Sequence, residues 1–128
     1  MQVKTAMVTF GVMFLTAAFV FSNVPLLTHL WELRQSAVTT TGTVVAVDAN
    51  NHNIATYRYR VGAVDYMGSE SASRHKEGES VMVYYAPAHP WVSVLTDPAG
   101  TFRDSVAGTV FISTLIVLLG AFAALRAR

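Results

Sequence analysis

Residues 81–95 read VMVYYAPAHPWVSVL. Val81, Val83 and Tyr85 alternate with Met82 and Tyr84, the period of a strand that turns one side to a core. Pro87 and Pro90 then interrupt, and the alternation resumes from Trp91 to Leu95. Each proline lacks a backbone donor and pushes the residue before it, Ala86 or His89, into an extended conformation. The stretch predicts two strands meeting at a stiff structural corner built from Tyr84, Tyr85, Pro87 and Pro90. Such a corner lets the later strand leave the plane of the earlier one and close a small sheet over its own core, with less ordering entropy lost than in a flexible loop.

Upstream, Thr41–Val47 (TGTVVAV) and Ile54–Val61 (IATYRYRV) are rich in β-formers and are separated by the turn-forming cluster Asp48–Asn53, which reads as a hairpin. Tyr57, Tyr59 and Val61 alternate with Thr56, Arg58 and Arg60, giving one apolar and one wet face. Gly62-Ala63 suits a two-residue turn with glycine at its first central position, leading into a third strand at Val64–Met67. Gly68–Glu79 (GSESASRHKEGE) is too polar for a core and reads as a surface loop. The middle of the chain, residues 38–97, therefore predicts a five-stranded antiparallel β-domain, barrel-like or sandwich-like. A sheet of this size buries only about 60% of the surface its unfolded chain exposes, so it should lean on the segment 26–34, on the tops of the flanking helices, or on a partner.

The flanks are a different material. The chain has 128 residues, 52% of them hydrophobic and 13% charged, unusual for a soluble domain. No Asp, Glu, Lys or Arg occurs from Thr5 to Trp31 or from Ser105 to Leu125. The second stretch gives about 31 Å of helix, close to the roughly 30 Å hydrocarbon core of a bilayer. The first is longer than needed. Pro25, which cannot donate to the Phe21 carbonyl, predicts a kink or interruption, followed by an interfacial end that carries Leu26, Leu27, Leu30 and Trp31 on one face. Transmembrane helix 1 is thus expected at 5–31 and transmembrane helix 2 at 102–126, the latter opened by a Thr101-x-x-Asp104 capping box after an Asp97-Pro98-Ala99-Gly100 turn. The first apolar run exceeds the usual length of a signal-peptide core and is expected to be a retained anchor. Overall the fold class is an α+β membrane protein, two transmembrane helices flanking a small antiparallel sheet.

Several of these residues together carry a resemblance. Gly42-Thr43-Val44-Val45, Tyr57-Arg58-Tyr59, Gly62, Tyr66, Gly68, Gly78, Val81 to Tyr85, Pro87, Pro90 and Ser93-Val94-Leu95, flanked by two hydrophobic helices, resemble the small bacterial two-helix membrane proteins grouped as domain of unknown function thirty-five ninety-two. The likeness covers about residues 10–125 and is most specific at the Tyr-Tyr-x-Pro-x-x-Pro corner. Such proteins typically carry Asn or Asp before the first proline, where this chain has Ala86, which cannot cap the turn through its side chain. The resemblance implies architecture and not an activity.

Charge gives sidedness. Lys4, Arg126 and Arg128 at the ends meet no acidic residue, whereas residues 32–104 hold six basic and eight acidic side chains. The positive-inside rule then places both termini in the cytoplasm of a bacterial inner membrane and the β-domain in the periplasm or outside the cell.

Motifs for chemistry are sparse. There are no cysteines, so neither disulfides nor thiolate sites exist. His29, His52, His75 and His89 show no metal-ligand spacing; His29 reads as an interfacial polar residue. Arg58 and Arg60 among tyrosines resemble a single-strand-binding surface, but the domain is not basic, and a wet sheet face over tyrosines is the simpler reading; no nucleic acid partner is expected. No nucleophile elbow or phosphate-binding glycine motif is present, and neither helix carries an ionisable residue at depth, which argues against a proton path or transporter. Ala18 with Ser22 and Gly120 with Ala124 are small residues at helical spacing, suited to close helix packing.

These observations predict a non-enzymatic accessory or interaction protein, without cofactor or metal. Its partners are membrane lipid and another membrane or periplasmic protein, through the loop residues Glu70, Arg74, His75, Lys76 and Glu77; a subunit of a membrane complex or an immunity-type protective protein would both fit. The competing expectation is a metal-dependent or catalytic domain using His52, His75 and His89.

Overall fold

The computed structural model describes residues 2–126. In chain order the elements are α1 (Gln2–Ser36), β1 (Val38–Asp48), β2 (Ile54–Val61), β3 (Val64–Glu70), β4 (Ser80–Ala86), β5 (His89–Val94) and α2 (Pro98–Arg126). The strands form one antiparallel sheet in the order β3-β2-β1-β4-β5. Its two end strands, β3 and β5, approach each other, so the sheet is nearly a barrel. The family-like architecture read from the sequence is therefore present: two long apolar helices flank a five-stranded antiparallel sheet.

The barrel's core follows the strand period. Val44, Ala55, Tyr57, Tyr59, Val81 and Val83 are buried together, while Arg58 and Arg60 of the opposite face are exposed. Gly42, opposite Tyr59, lets the strands close up, since a Cβ there would come within 2.8 Å of the Arg58 carbonyl oxygen. The turn Gly62-Ala63 is the expected one: Val61 pairs with Val64, and Gly62 alone of the two central residues has positive φ, 62°. At the other hairpin His52 and Asn53 take left-handed φ values of 51° and 50°, and Asp48 Oδ1 accepts from the Asn50 N–H at 3.0 Å, an Asx turn.

The stretch 81–95 folds differently from the expectation. Pro87 and Ala88 make a two-residue turn, Ala86 pairs with His89, and β5 runs antiparallel beside β4 after an irregularity in register at Tyr85/Ala86. The prolines thus build a hairpin in the same sheet, not a corner out of its plane. Pro90 lies in β5, an end strand, where a missing ladder donor is tolerated. Closure over the core comes instead from the curl of the whole sheet.

A second buried cluster joins Leu30, Leu33, Ala86 and Val92, with Ala37, Val94 and Phe102 packed against it. The last turns of α1 are thereby seated on the β4–β5 hairpin, the support the small sheet was expected to need; each fully buried leucine is worth about 1.5–3 kcal/mol. This packing explains another difference. Pro25 does not interrupt α1, which continues through it past residue 31 to Ser36, because the segment beyond the proline is held helical by burial of Leu30 and Leu33.

α2 begins a turn earlier than expected. Asp97, not Thr101, caps it: Asp97 Oδ2 accepts from the Gly100 N–H at 3.0 Å, and the Asp97 carbonyl accepts from the Thr101 N–H at 3.0 Å. Pro98 occupies the first helical position, where its missing donor costs nothing. Thr101 Oγ1 is engaged with the Asp97 carbonyl and with Thr96.

The portions of α1 up to Thr28 and of α2 from Arg103 form a compact unit apart from residues 29–102. In this unit Val12 sits against Gly120, whose Cβ, if present, would overlap the valine side chain. Phe10, Phe14, Phe21, Phe111 and Leu118 are mostly exposed. Both helices are long and apolar enough to cross a membrane, and neither is buried; apolar surface on this scale belongs in lipid.

Candidate functional site

The interior of the barrel is filled by its own side chains. Tyr57 and Val83 are 0% exposed and Val44 1%. The Tyr57 hydroxyl lies 2.9 Å from Ser93 Oγ, and the Tyr59 hydroxyl donates to the Pro90 carbonyl at 2.6 Å. These bonds tie β2 to β5 across the core. Tyr66 and Tyr85 stack on Tyr59 at centroid distances of 5.9 and 6.2 Å. Burial pushes the Tyr57 phenol up to about 12 and raises that of Tyr59, so both remain neutral. Any partner must meet the outside.

On the outside, the segment 71–79 is the most polar feature, and it is fastened at both ends. The Ala72 N–H donates to the His52 carbonyl at 2.8 Å and the Ser73 N–H to the Asn53 carbonyl at 3.1 Å, docking the segment on the β1–β2 turn. At the far end the Gly78 N–H donates to the Val44 carbonyl at 2.8 Å, and the Val44 N–H to the Glu79 carbonyl at 2.9 Å. In between, His75 Nδ1 lies 2.9 Å from Glu79 Oε1, and Glu79 Oε2 accepts from the Lys76 N–H at 2.8 Å. The His75 hydrogen bond, then the Lys76 N–H, hold the Glu79 carboxyl below the usual carboxylate range. Of the residues singled out from the sequence, Arg74, Lys76 and Glu77 are exposed. His75 is half-buried with Glu70 Oε2 4.0 Å from its Nε2. Glu70 itself is the last residue of β3, paired with Ala55, and not part of the loop. Glu79, which organises the segment, was missed; its signal was the four-residue spacing from His75.

The three histidines of the metal or catalytic expectation do not converge. His52 is in the β1–β2 turn, His75 in the loop, and His89 opens β5. His89 Nδ1 instead lies 2.7 Å from Glu32 Oε1 of α1, and its ring meets Trp91 edge-on at 5.1 Å. Among the described residues no group of three His, Asp or Glu side chains is arranged to hold a metal.

The helix-packing residues divide. Gly120 makes the contact with Val12 and Ala124 is half-buried, whereas Ala18 and Ser22 are exposed and the Ser22 hydroxyl donates to the Phe19 carbonyl. A further arrangement was not legible from spacing: the Arg34 guanidinium carbon lies 5.5 Å from the Trp31 ring centroid and 5.4 Å from that of Phe102, and the two rings are 5.4 Å apart.

Against known proteins, residues 35–100 match the family model described as Domain of unknown function (DUF3592), just over half of the chain. No curated protein and no solved structure matches.

Proposed function

The chain belongs to the family of the domain of unknown function DUF3592, and from that premise we propose that it is a non-enzymatic accessory protein of the bacterial inner membrane, which presents its β-domain to a protein partner. The observation that carries the reading is the contrast between a barrel filled by its own tyrosines and an outer loop whose backbone is fastened at both ends while Arg74, Lys76 and Glu77 point to solvent. A pre-ordered charged loop loses little entropy on binding and suits recognition of another protein. A subunit of a membrane complex and an immunity-type protective protein both use such a surface.

Membrane placement is supported by the two apolar helices. The sidedness rests on the basic ends and the net-acidic middle: both termini are cytoplasmic and the β-domain periplasmic. Because the chain lacks cysteine, Ser71→Cys, at an exposed position of the loop, reports this directly. It should react with a membrane-impermeant thiol reagent once the outer membrane is permeabilised; reaction only after inner-membrane lysis would reverse the topology.

The partner test is purification from native membranes in mild detergent followed by mass spectrometry. A stoichiometric protein partner should accompany the wild-type chain and be lost with Arg74→Glu/Lys76→Glu. A chain that purifies alone, with undiminished stability, would refute the accessory reading.

A further inference from the structure

We propose that Arg34, held between Trp31 and Phe102, binds the phosphate of a bilayer phospholipid. The inference rests on the helices spanning a membrane, and not on the sidedness of the β-domain or on any protein partner.

Three observations carry it. The first is that the guanidinium is placed but not neutralised. Its carbon lies 5.5 and 5.4 Å from the two ring centroids, within cation–π range, yet among the described residues no carboxylate stands within ion-pairing distance of it. Glu32, two positions away, has its Oε1 on His89 at 2.7 Å. Aromatic rings restrain the cation without consuming its N–H donors, which leaves a planar fork whose natural complement is an oxyanion bound through two hydrogen bonds.

The second is depth. Phe102 lies one turn before Ser105, where the charge-free stretch of α2 begins. Trp31 touches Phe102, and Arg34 follows Trp31 by three residues, about 5 Å along the helix. That rise keeps Arg34 within the headgroup layer, which is about 5–8 Å thick on each side of the hydrocarbon. The third is the frame: Trp31 is 48% exposed, with an amphipathic ring of the kind that sits at the headgroup level. A solvent-facing cage of one guanidinium and two rings, at the depth of the lipid phosphates, suits that phosphate.

The test uses the full chain reconstituted in nanodiscs of phosphatidylcholine with phosphatidylglycerol, then transferred to a phosphate-free maltoside detergent and examined by native mass spectrometry. Wild type should retain bound phospholipid, and Arg34→Gln should lower the retained fraction about tenfold. Phe102→Leu, which keeps apolar bulk against the cluster of Leu30, Leu33, Ala86 and Val92 but removes one wall, should lower it several-fold. Arg103→Gln, an exposed neighbour whose Nε is 3.6 Å from Asp104, should leave it unchanged. Loss with Arg103→Gln equal to that with Arg34→Gln would reduce the effect to general juxtamembrane charge and overturn the site. So would a wild type that retains no lipid, an Arg34→Gln variant that retains as much, or displacement of the lipid by millimolar inorganic phosphate, which would make the ligand free phosphate.

Discussion

Gly68 in β3 faces Tyr57 in β2, and the tyrosine ring covers it so closely that a Cβ at position 68 would overlap Cζ and Oη and come within 2.6 Å of Cε2. The ring has no easy retreat. It is fully buried, its hydroxyl is bonded to Ser93, and Tyr59 stands 6.0 Å away on the same face. In an ordinary strand, Gly→Ala stabilises by about 0.5–1 kcal/mol, because alanine loses less backbone entropy. Here the methyl forces overpacking, costing about 1–3 kcal/mol, and displaces the hydroxyl that ties β2 to β5, costing about 0.5–1.5 kcal/mol more. Net of the entropy gain, Gly68→Ala should therefore destabilise the β-domain by about 0.5–4 kcal/mol, lowering its Tm by about 4–8 °C per kcal/mol for a domain of this size. Denaturant unfolding of the full chain in detergent, followed by near-ultraviolet circular dichroism of the buried tyrosines, reads the change. Tyr57→Leu removes the obstructing ring, so the double variant should be more stable than the sum of the two single effects by at least about 1 kcal/mol. A neutral or stabilising Gly68→Ala, or strict additivity in the cycle, would refute the packing described for this pair.

Asp97→Ala removes the acceptor that caps α2 and should cost about 1 kcal/mol, while Asp97→Asn should cost less because the amide oxygen can still accept; thermal unfolding in detergent distinguishes them. Tyr57 predicts an alkaline limit. Its ionisation is raised from 10.0 to about 12 by burial, so the folded chain holds the phenolic proton where the unfolded chain has released it. The associated stability is complete below pH 10 and lost as pH rises from 10 to 12, a loss on the order of 2–3 kcal/mol. Ultraviolet titration of the five tyrosines should show at least one titrating late, and Tyr57→Phe should remove that step. In the helical unit, Gly120→Ala should lower the thermal midpoint of the solubilised protein, and adding Val12→Ala should restore it; a Gly120→Ala variant that melts with wild type would show that the two helices do not meet there.

Much of this architecture is determined by short-range pattern. A two-residue alternation with tyrosine, valine and isoleucine placed all five strands, and charge-free stretches longer than a bilayer is thick marked both helices, because period and length are properties a segment carries by itself. The Gly62-Ala63 turn was equally local. The start of α2 was legible too, since Asp followed by Pro is the better helix opening, but a competing Thr-x-x-Asp pattern stood one turn later and only the hydrogen bonds to Asp97 separate the two.

What the tertiary structure alone decided is where distant segments meet. Proline chemistry at 87 and 90 allows a hairpin or a corner; the choice fell to the hairpin because Ala86 and Val92 are buried against Leu30 and Leu33. The same burial keeps α1 helical beyond Pro25, against local preference. Likewise Glu32 meets His89 from 57 residues away, and Arg34 and Trp31 of α1 meet Phe102 of α2 from across the whole β-domain in sequence. Their energies depend on ångström separations that no spacing encodes, and they come together only once the sheet has curled and its end strands have closed over the tyrosines.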